Sequence, residues 1–208
     1  SLRPERSLLP DMDWLEEQER LRPPVYIAGL RISLPWHEPD PKATLELSIE
    51  GGAAFGTGEH QTTRMCVEWL ATQPLEGKRV LDYGCGSGIL SLAAIAFGAE
   101  SAPGVDIDPL AVATARRNAV SNGLSQAEFY LPAGASDEAP LPPDLVFPVV
   151  VANILLGPLI DLRATITDRV ERGGSLAVAG IRTGQEEQVV AAYAADFVGA
   201  EVLRNMDD

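Results

Sequence analysis

Val80-Leu-Asp-Tyr-Gly-Cys-Gly-Ser-Gly88, followed at 106–109 by Asp-Ile-Asp-Pro, decides how this chain folds. The run Arg79-Val-Leu-Asp is short, apolar and stopped by glycines, as a buried strand is. A strand feeding a glycine turn and then an Ala- and Leu-rich helix, here Ile89 to Phe97, lets backbone approach a ligand where side chains would collide. One strand, helix and strand later the chain reaches Asp106. Asp108-Pro109 then opens the next helix, with Asp as N-cap and Pro in the first helical position.

The spacing narrows the ligand. A dinucleotide turn reads Gly-x-Gly-x-x-Gly, but the third residue after Gly86 is Ile89. The glycines are instead Gly84, Gly86 and Gly88, preceded by Asp82. Asp106, at the end of the second strand, is placed to accept hydrogen bonds from both hydroxyls of an adenosyl ribose.

These residues resemble the class I S-adenosylmethionine-dependent methyltransferases, and two flanking segments sharpen the likeness. Ala54-Phe-Gly-Thr-Gly-Glu-His-Gln-Thr-Thr63 precedes the first strand, and Val149-Val-Val-Ala-Asn-Ile-Leu-Leu-Gly-Pro-Leu159 covers the fourth. Together, from about Asp13 to Phe197, they are similar to the bacterial-type ribosomal protein methyltransferases, which modify amino groups of the stalk-base protein of the large subunit. The resemblance implies S-adenosyl-L-methionine as cofactor, held by Phe55, Thr57, Thr63, Asp82, Gly84, Gly86, Asp106, Ile107 and Asn153. It further implies a protein amine, lysine or N-terminal, as methyl acceptor, with Asn153 orienting the amine.

The residues themselves temper these roles. Asn153 begins Asn-Ile-Leu-Leu and not Asn-Pro-Pro-aromatic, so the ring that stacks a flipped base is missing and a protein amine is preferred over adenine. The same Asn153 would serve equally as a cap of the following helix. His60 has no evident partner for general-base work and is read as a structural or lid contact. Cys85, between two glycines, is read as small packing. Segment 55–60 is expected to fold over the cofactor, with Phe55 excluding water.

Composition adds limits. The net charge of −14 disfavours nonspecific nucleic-acid binding, which needs arrays of Lys and Arg, and favours a basic protein substrate. Cys66 and Cys85 form no Cys-x-x-Cys, and with only His37 and His60 no zinc site is expected. The first residues show no apolar signal core. The uncharged run Leu145–Ile160 falls short of the roughly 20 residues a bilayer requires and carries two prolines, so it reads as strand then helix. A monomer is expected, cytoplasmic or in an organellar matrix or stroma, away from membranes.

Alternating strands and helices predict an α/β fold: a doubly wound, mostly parallel sheet with an N-terminal helix and β extension. The expected elements are a helix over Asp11–Leu21, strands over Val25–Leu34 and Thr44–Ile49, and a helix over Thr62–Ala71. Strands are then expected at Arg79–Asp82, Ala102–Asp106, Gln126–Tyr130, Val149–Asn153 and Ser175–Ala179. Residues 1–50 are read as linker helix and β extension, and 51–208 as the S-adenosylmethionine-binding domain. Against the family pattern, the first residue is Ser, an N-terminal recognition domain is missing and the chain stops near the start of a C-terminal hairpin. Other methyl acceptors, such as a flavoprotein-subunit lysine or a small amine, stay open, as does a noncatalytic cofactor-binding module, whereas a nicotinamide oxidoreductase is disfavoured by Ile89 where a glycine should stand.

Overall fold

The computed structural model describes residues 22–50 and 60–203. The helix expected at Asp11–Leu21 and the candidate residues Phe55 and Thr57 lie outside them.

Two sheets are present. The smaller contains β1 (Val25–Ile27), β2 (Leu30–Ser33) and β3 (Leu45–Ser48). Strands β1 and β2 are antiparallel, and β2 and β3 parallel. The expected single strand over Val25–Leu34 is therefore a hairpin, with Ile27 opposite Leu30. Ala28 (φ 48°) and Gly29 (φ 83°) turn it. A two-residue hairpin loop with both φ values positive matches the right-handed twist of the strands it joins. Across β2 and β3, the buried Arg31 is ion-paired with Glu46, and its Nη2 donates to Glu38 O at 2.9 Å, which ties down the proline-containing connection.

The larger sheet has five strands in the order β6-β5-β4-β7-β8, all parallel. These are β4 (Val80–Tyr83), β5 (Gly104–Val105), β6 (Phe129–Tyr130), β7 (Phe147–Asn153) and β8 (Val170–Ala179). Chain order runs outward from β4 to β6 and then returns to β7 on the other side of β4. The crevice beyond the carboxyl ends of β4 and β7 is the point where the order reverses, the usual binding position in open parallel sheets.

Six helices fill the spaces among the described residues: α1 (Gln61–Thr72), α2 (Ile89–Ala96), α3 (Pro109–Ser121), α4 (Leu156–Asp161), α5 (Arg163–Thr167) and α6 (Glu186–Tyr193). The strand period of two assigns alternate residues to opposite layers. Val80, Val149 and Val151 pack with α1, α2, α3 and the small sheet, whereas Leu81, Val150 and Ala152 pack with Leu159, Ile166 and Val189 of α4, α5 and α6. Burial on both faces explains why these strands read as continuous apolar runs. Ile27, Leu30, Ile32, Leu47 and Ile49 join the first layer, so the small sheet shares its core. Each such side chain contributes about 1.5–3 kcal/mol by leaving water.

Several expected strands differ in length: β3 is Leu45–Ser48, β6 is Phe129–Tyr130 alone and β7 begins at Phe147, while β5 and β8 differ for reasons visible in the chain. Pro103 has no N–H and shortens β5 to two residues. Strand β8 starts five residues earlier than expected because Val170 pairs Phe147 before the register jumps to Ser175 opposite Val149, around Pro148. The chain excess, including Gly173 (φ 81°), bulges out.

Ala28 is the one non-glycine residue with positive φ among the described residues. Ala28→Asn, which tolerates this region and restores the preferred Asn-Gly turn, is expected to raise stability by about 0.5–1 kcal/mol in urea unfolding. Unchanged or lowered stability would contradict the assigned turn.

Candidate active site

The glycine turn leaves β4 with Gly84, Gly86 and Gly88 all at positive φ (81°, 54° and 80°). Two of these glycines also lack space. A Cβ on Gly84 would overlap Ile154 Cγ2, and one on Gly88 would meet Phe129 Cζ at 2.8 Å and Ala115 Cβ at 2.9 Å. The alternate glycines are thus required by backbone conformation and by close approach together.

Where do the turn's N–H groups go? Gly84 N and Cys85 N both donate to Val105 O, at 2.7 and 3.1 Å, and Gly88 N donates to Cys85 O at 2.8 Å. Gly86 N donates to Asp106 Oδ2 at 2.8 Å. These donors are committed within the protein, whereas a pyrophosphate-binding turn keeps such groups for the ligand. The geometry of the turn thus agrees with Ile89 in disfavouring a nicotinamide dinucleotide.

Asp106 caps the end of β5 and is half-buried. Besides Gly86 N, it takes Asp108 N on Oδ1 at 3.0 Å. Each oxygen keeps a second lone pair, enough for two hydroxyl donors. Asp108 caps α3 as expected, accepting from Leu110 N at 2.9 Å, with Pro109 in the first turn. Between them Ile107 is 80% exposed and presents apolar surface beside the carboxylate.

Asp82 lies beneath the turn and is fully buried. Its Oδ2 accepts from Ser91 N and Ser91 Oγ, both at 3.1 Å, joining β4 to the first turn of α2, while Oδ1 has no partner. Burial pushes its carboxyl up from 3.8 to about 7 against the two Ser91 donors, with the nearby Asp106 charge adding to the rise. Burial likewise raises Cys66 to about 12 and Cys85 well above the ordinary thiol value, so neither is a nucleophile. Cys85 packs where a Cβ on Gly104 would fall, in keeping with a packing role.

Asn153 ends β7, across the reversal point from the turn. Its Nδ2 donates to Thr63 Oγ1 at 3.2 Å, bringing together two candidates 90 residues apart. Helix α4 begins after Leu155, so Asn153 does not cap it, contrary to the simpler reading of the sequence. With Nδ2 engaged, Oδ1 is the acceptor left to Asn153. His60 is the N-cap of α1: its Nδ1 accepts from Thr62 N at 3.3 Å and lies 2.8 Å from Thr62 Oγ1. That is the structural role expected of it.

The sequence reading missed two positions. Gly180 (φ 84°), after β8, is so close to Ile154 that a Cβ would meet its O at 2.5 Å and its C at 2.8 Å. Asn118, inside α3, is 2% exposed. Asparagine is unfavourable in a helix interior, and that was the available signal.

The profile of the ribosomal protein L11 methyltransferase family, PrmA, matches residues 2–207. The chain belongs to this family. Curated ribosomal protein L11 methyltransferases of Ectopseudomonas mendocina and Pseudomonas aeruginosa are 47% and 46% identical to it over 191 residues, 90% of the chain. The chain spans 63% and 62% of their lengths. The crystal structure of the ribosomal protein L11 methylase of Lactobacillus delbrueckii subsp. bulgaricus superposes with a TM-score of 0.70 and 29% identity, covering 81% of this chain and 84% of that one. The fold is that of the Rossmann-like class I methyltransferases, as the turn and its spacing imply. In family terms, the site described here joins the Asp-Tyr-Gly-Cys-Gly turn to the Asn-Ile-Leu-Leu segment.

Asp82 makes the stability of this family member depend on pH. Because its folded-state pKa lies above the unfolded value, the folded chain binds the proton more tightly between about 4 and 7. Stability therefore falls as pH rises through that window, and the cost is complete above it. Three units at ~1.4 kcal/mol each set a ceiling of about 4 kcal/mol. Asp82→Asn, which keeps the shape of the neutral acid, should gain on the parent by up to this amount between pH 4 and 8 in denaturant titrations. A difference that stays constant with pH would contradict the buried, raised carboxyl.

Proposed function

We propose that the protein transfers methyl groups from S-adenosylmethionine to amino groups of ribosomal protein L11, lysine ε-amino or N-terminal α-amino. The observation that carries this reading is the Asn153–Thr63 hydrogen bond beside the glycine turn, in a chain of this family.

The residues fit the cofactor. Asp106 has lone pairs for both ribose hydroxyls, and Ile107 offers an apolar face to the adenine. Gly86 puts no side chain on the turn where the methionine portion would lie, and Asp82 Oδ1 is buried and unpartnered beneath it. Phe55 and Thr57 belong to the same proposed shell by family likeness alone.

When bound, S-adenosylmethionine supplies a sulfonium methyl already activated for transfer. The protein's task is alignment of a neutral amine in line with it. A lysine of pKa 10.4 is neutral in only about one molecule in a thousand at pH 7.4, a handicap of about 4 kcal/mol. Desolvation and a nearby cation lower that pKa. Asn153 Oδ1 accepts an amine N–H and aims the nitrogen lone pair away from itself, and Thr63, which is buried, holds the amide in this orientation. No general base is assigned.

The net charge of −14 suits a basic partner such as a ribosomal protein and opposes free nucleic acid. With this reading goes the proposal of a monomer in the cytoplasm or in an organellar matrix or stroma. No helix among the described residues is long and apolar enough to cross a membrane.

Asp106→Ala should lose two charge-assisted hydrogen bonds to ribose and weaken S-adenosylhomocysteine by about 2–3 kcal/mol in calorimetry while the chain stays folded. An unchanged Kd would remove Asp106 from the site. Methyl transfer to L11, followed with labelled S-adenosylmethionine in a polypeptide of full family length, tests the chemistry. Asn153→Ala should lower kcat about tenfold or more with a much smaller change in cofactor affinity, because its contact strengthens in the transition state. A rate loss wholly explained by weaker cofactor binding would make Asn153 a cofactor ligand and leave the amine without an acceptor.

A further inference from the structure

Helix α3 carries two asparagines one turn apart, and both pair with the backbone at the outer edge of β3. Ser48 N donates to Asn122 Oδ1 at 2.8 Å, and Asn122 Nδ2 donates to Ser48 O at 2.7 Å. Two residues on, Glu50 N donates to Asn118 Oδ1 at 2.8 Å, and Asn118 Nδ2 donates to Glu50 O at 3.0 Å. Residues two apart on a strand show their N–H and C=O to the same side. The two amides thus stand in for a neighbouring strand.

The asparagines differ in their remaining hydrogen. Asn122 Nδ2 returns it to its own helix, to Asn118 O at 2.7 Å. Asn118 Nδ2 gives it to Ser87 O at 2.9 Å, the carbonyl between Gly86 and Gly88. Asn118 is 2% exposed and Ser87 fully buried, so this carbonyl sits where water does not compete.

We infer that Asn118 is a positioning residue of the cofactor turn, which it locks by holding the Ser87 carbonyl against the edge of the small sheet. A peptide that leads into glycine rotates at little steric cost, and the Ser87 carbonyl leads into Gly88, at φ 80°. Turning the Ser87–Gly88 peptide would strand the carbonyl and also withdraw Gly88 N from Cys85 O, the bond that closes the turn. One buried amide opposes that rotation, and its other groups anchor it to Glu50. The small sheet is thereby part of the frame of the cofactor site.

This inference rests on the turn being the cofactor site, so its test has one readout that needs cofactor and one that does not. S-adenosylhomocysteine affinity by calorimetry and amide exchange of Gly88 in the unliganded protein are compared for Asn118→Ala and Asn122→Ala. Both variants lose an anchor to the small sheet, but only the first removes the Asn118 amide from Ser87 O. Asn118→Ala should weaken S-adenosylhomocysteine by about tenfold or more and speed Gly88 exchange by a similar factor. Asn122→Ala should leave both within about threefold of the parent. Asn118→Asp, of equal volume, keeps the acceptor for Glu50 N but sets a carboxylate against two carbonyls. It should follow Asn118→Ala, and replaces it if the smaller side chain unfolds the protein. Equal effects of the two positions on affinity and on Gly88 exchange would reduce Asn118 to a structural anchor and overturn the inference. If the parent fails to bind S-adenosylhomocysteine, the cofactor reading fails, and Gly88 exchange still decides the role of Asn118.

Discussion

Between Gly84 and Ile154 there is no room for a methyl group, and the site depends on that contact. Gly84 follows β4 and Ile154 follows β7, so the contact spans the crevice where strand order reverses. On its far side Ile154 is pressed against Gly180, whose own Cβ would strike the Ile154 carbonyl. The residue is held between two glycines, each at a positive φ that other residues adopt only with strain. Asn153 is its neighbour in the chain. The amide proposed to orient the amine is consequently set against the turn proposed to hold the cofactor, with the Ile154 side chain against Gly84 and the Ile154 backbone against Gly180.

The polar groups around this contact divide between those that build the turn and those left for a ligand. Val105 O, Cys85 O and Asp106 Oδ2 take up the turn's N–H groups. Asp82 binds the turn to α2 from below, and Asn118 restrains it from the side of the small sheet. What remains is acceptor-rich: lone pairs of Asp106 and Oδ1 of Asn153. A surplus of acceptors suits hydroxyl and ammonium donors and opposes phosphate. This agrees with a cofactor bearing ribose and amino-acid groups.

Much of this was legible in the sequence because it is carried by local spacing. The strand, glycine turn and helix from Val80 to Phe97 need only residues close in the chain, and so does the Asp108-Pro109 cap. The parallel sheet followed from alternation, and the family from two flanking segments. Other features were set by distant partners. The hairpin at Ala28-Gly29 hid within one alternating run because alanine does not announce a positive φ. The first half of β8 was invisible since its pairing depends on a register jump around Pro148. Asn153 read equally well as a helix cap until Leu155 was seen to begin α4. Asn118 and Gly180 act through Ser87 and Ile154, which no local pattern connects to them.

The alternate glycines of this turn, all at positive φ, are proposed to hold an S-adenosyl group. Calorimetric titration of the parent and of Gly86→Val with S-adenosylhomocysteine, alongside an oxidised nicotinamide dinucleotide, tests this proposal most directly. Saturable 1:1 binding of S-adenosylhomocysteine by the parent is expected, with none by a folded Gly86→Val and none of the dinucleotide by either. Binding of the dinucleotide, or equal binding of S-adenosylhomocysteine by mutant and parent, would contradict it.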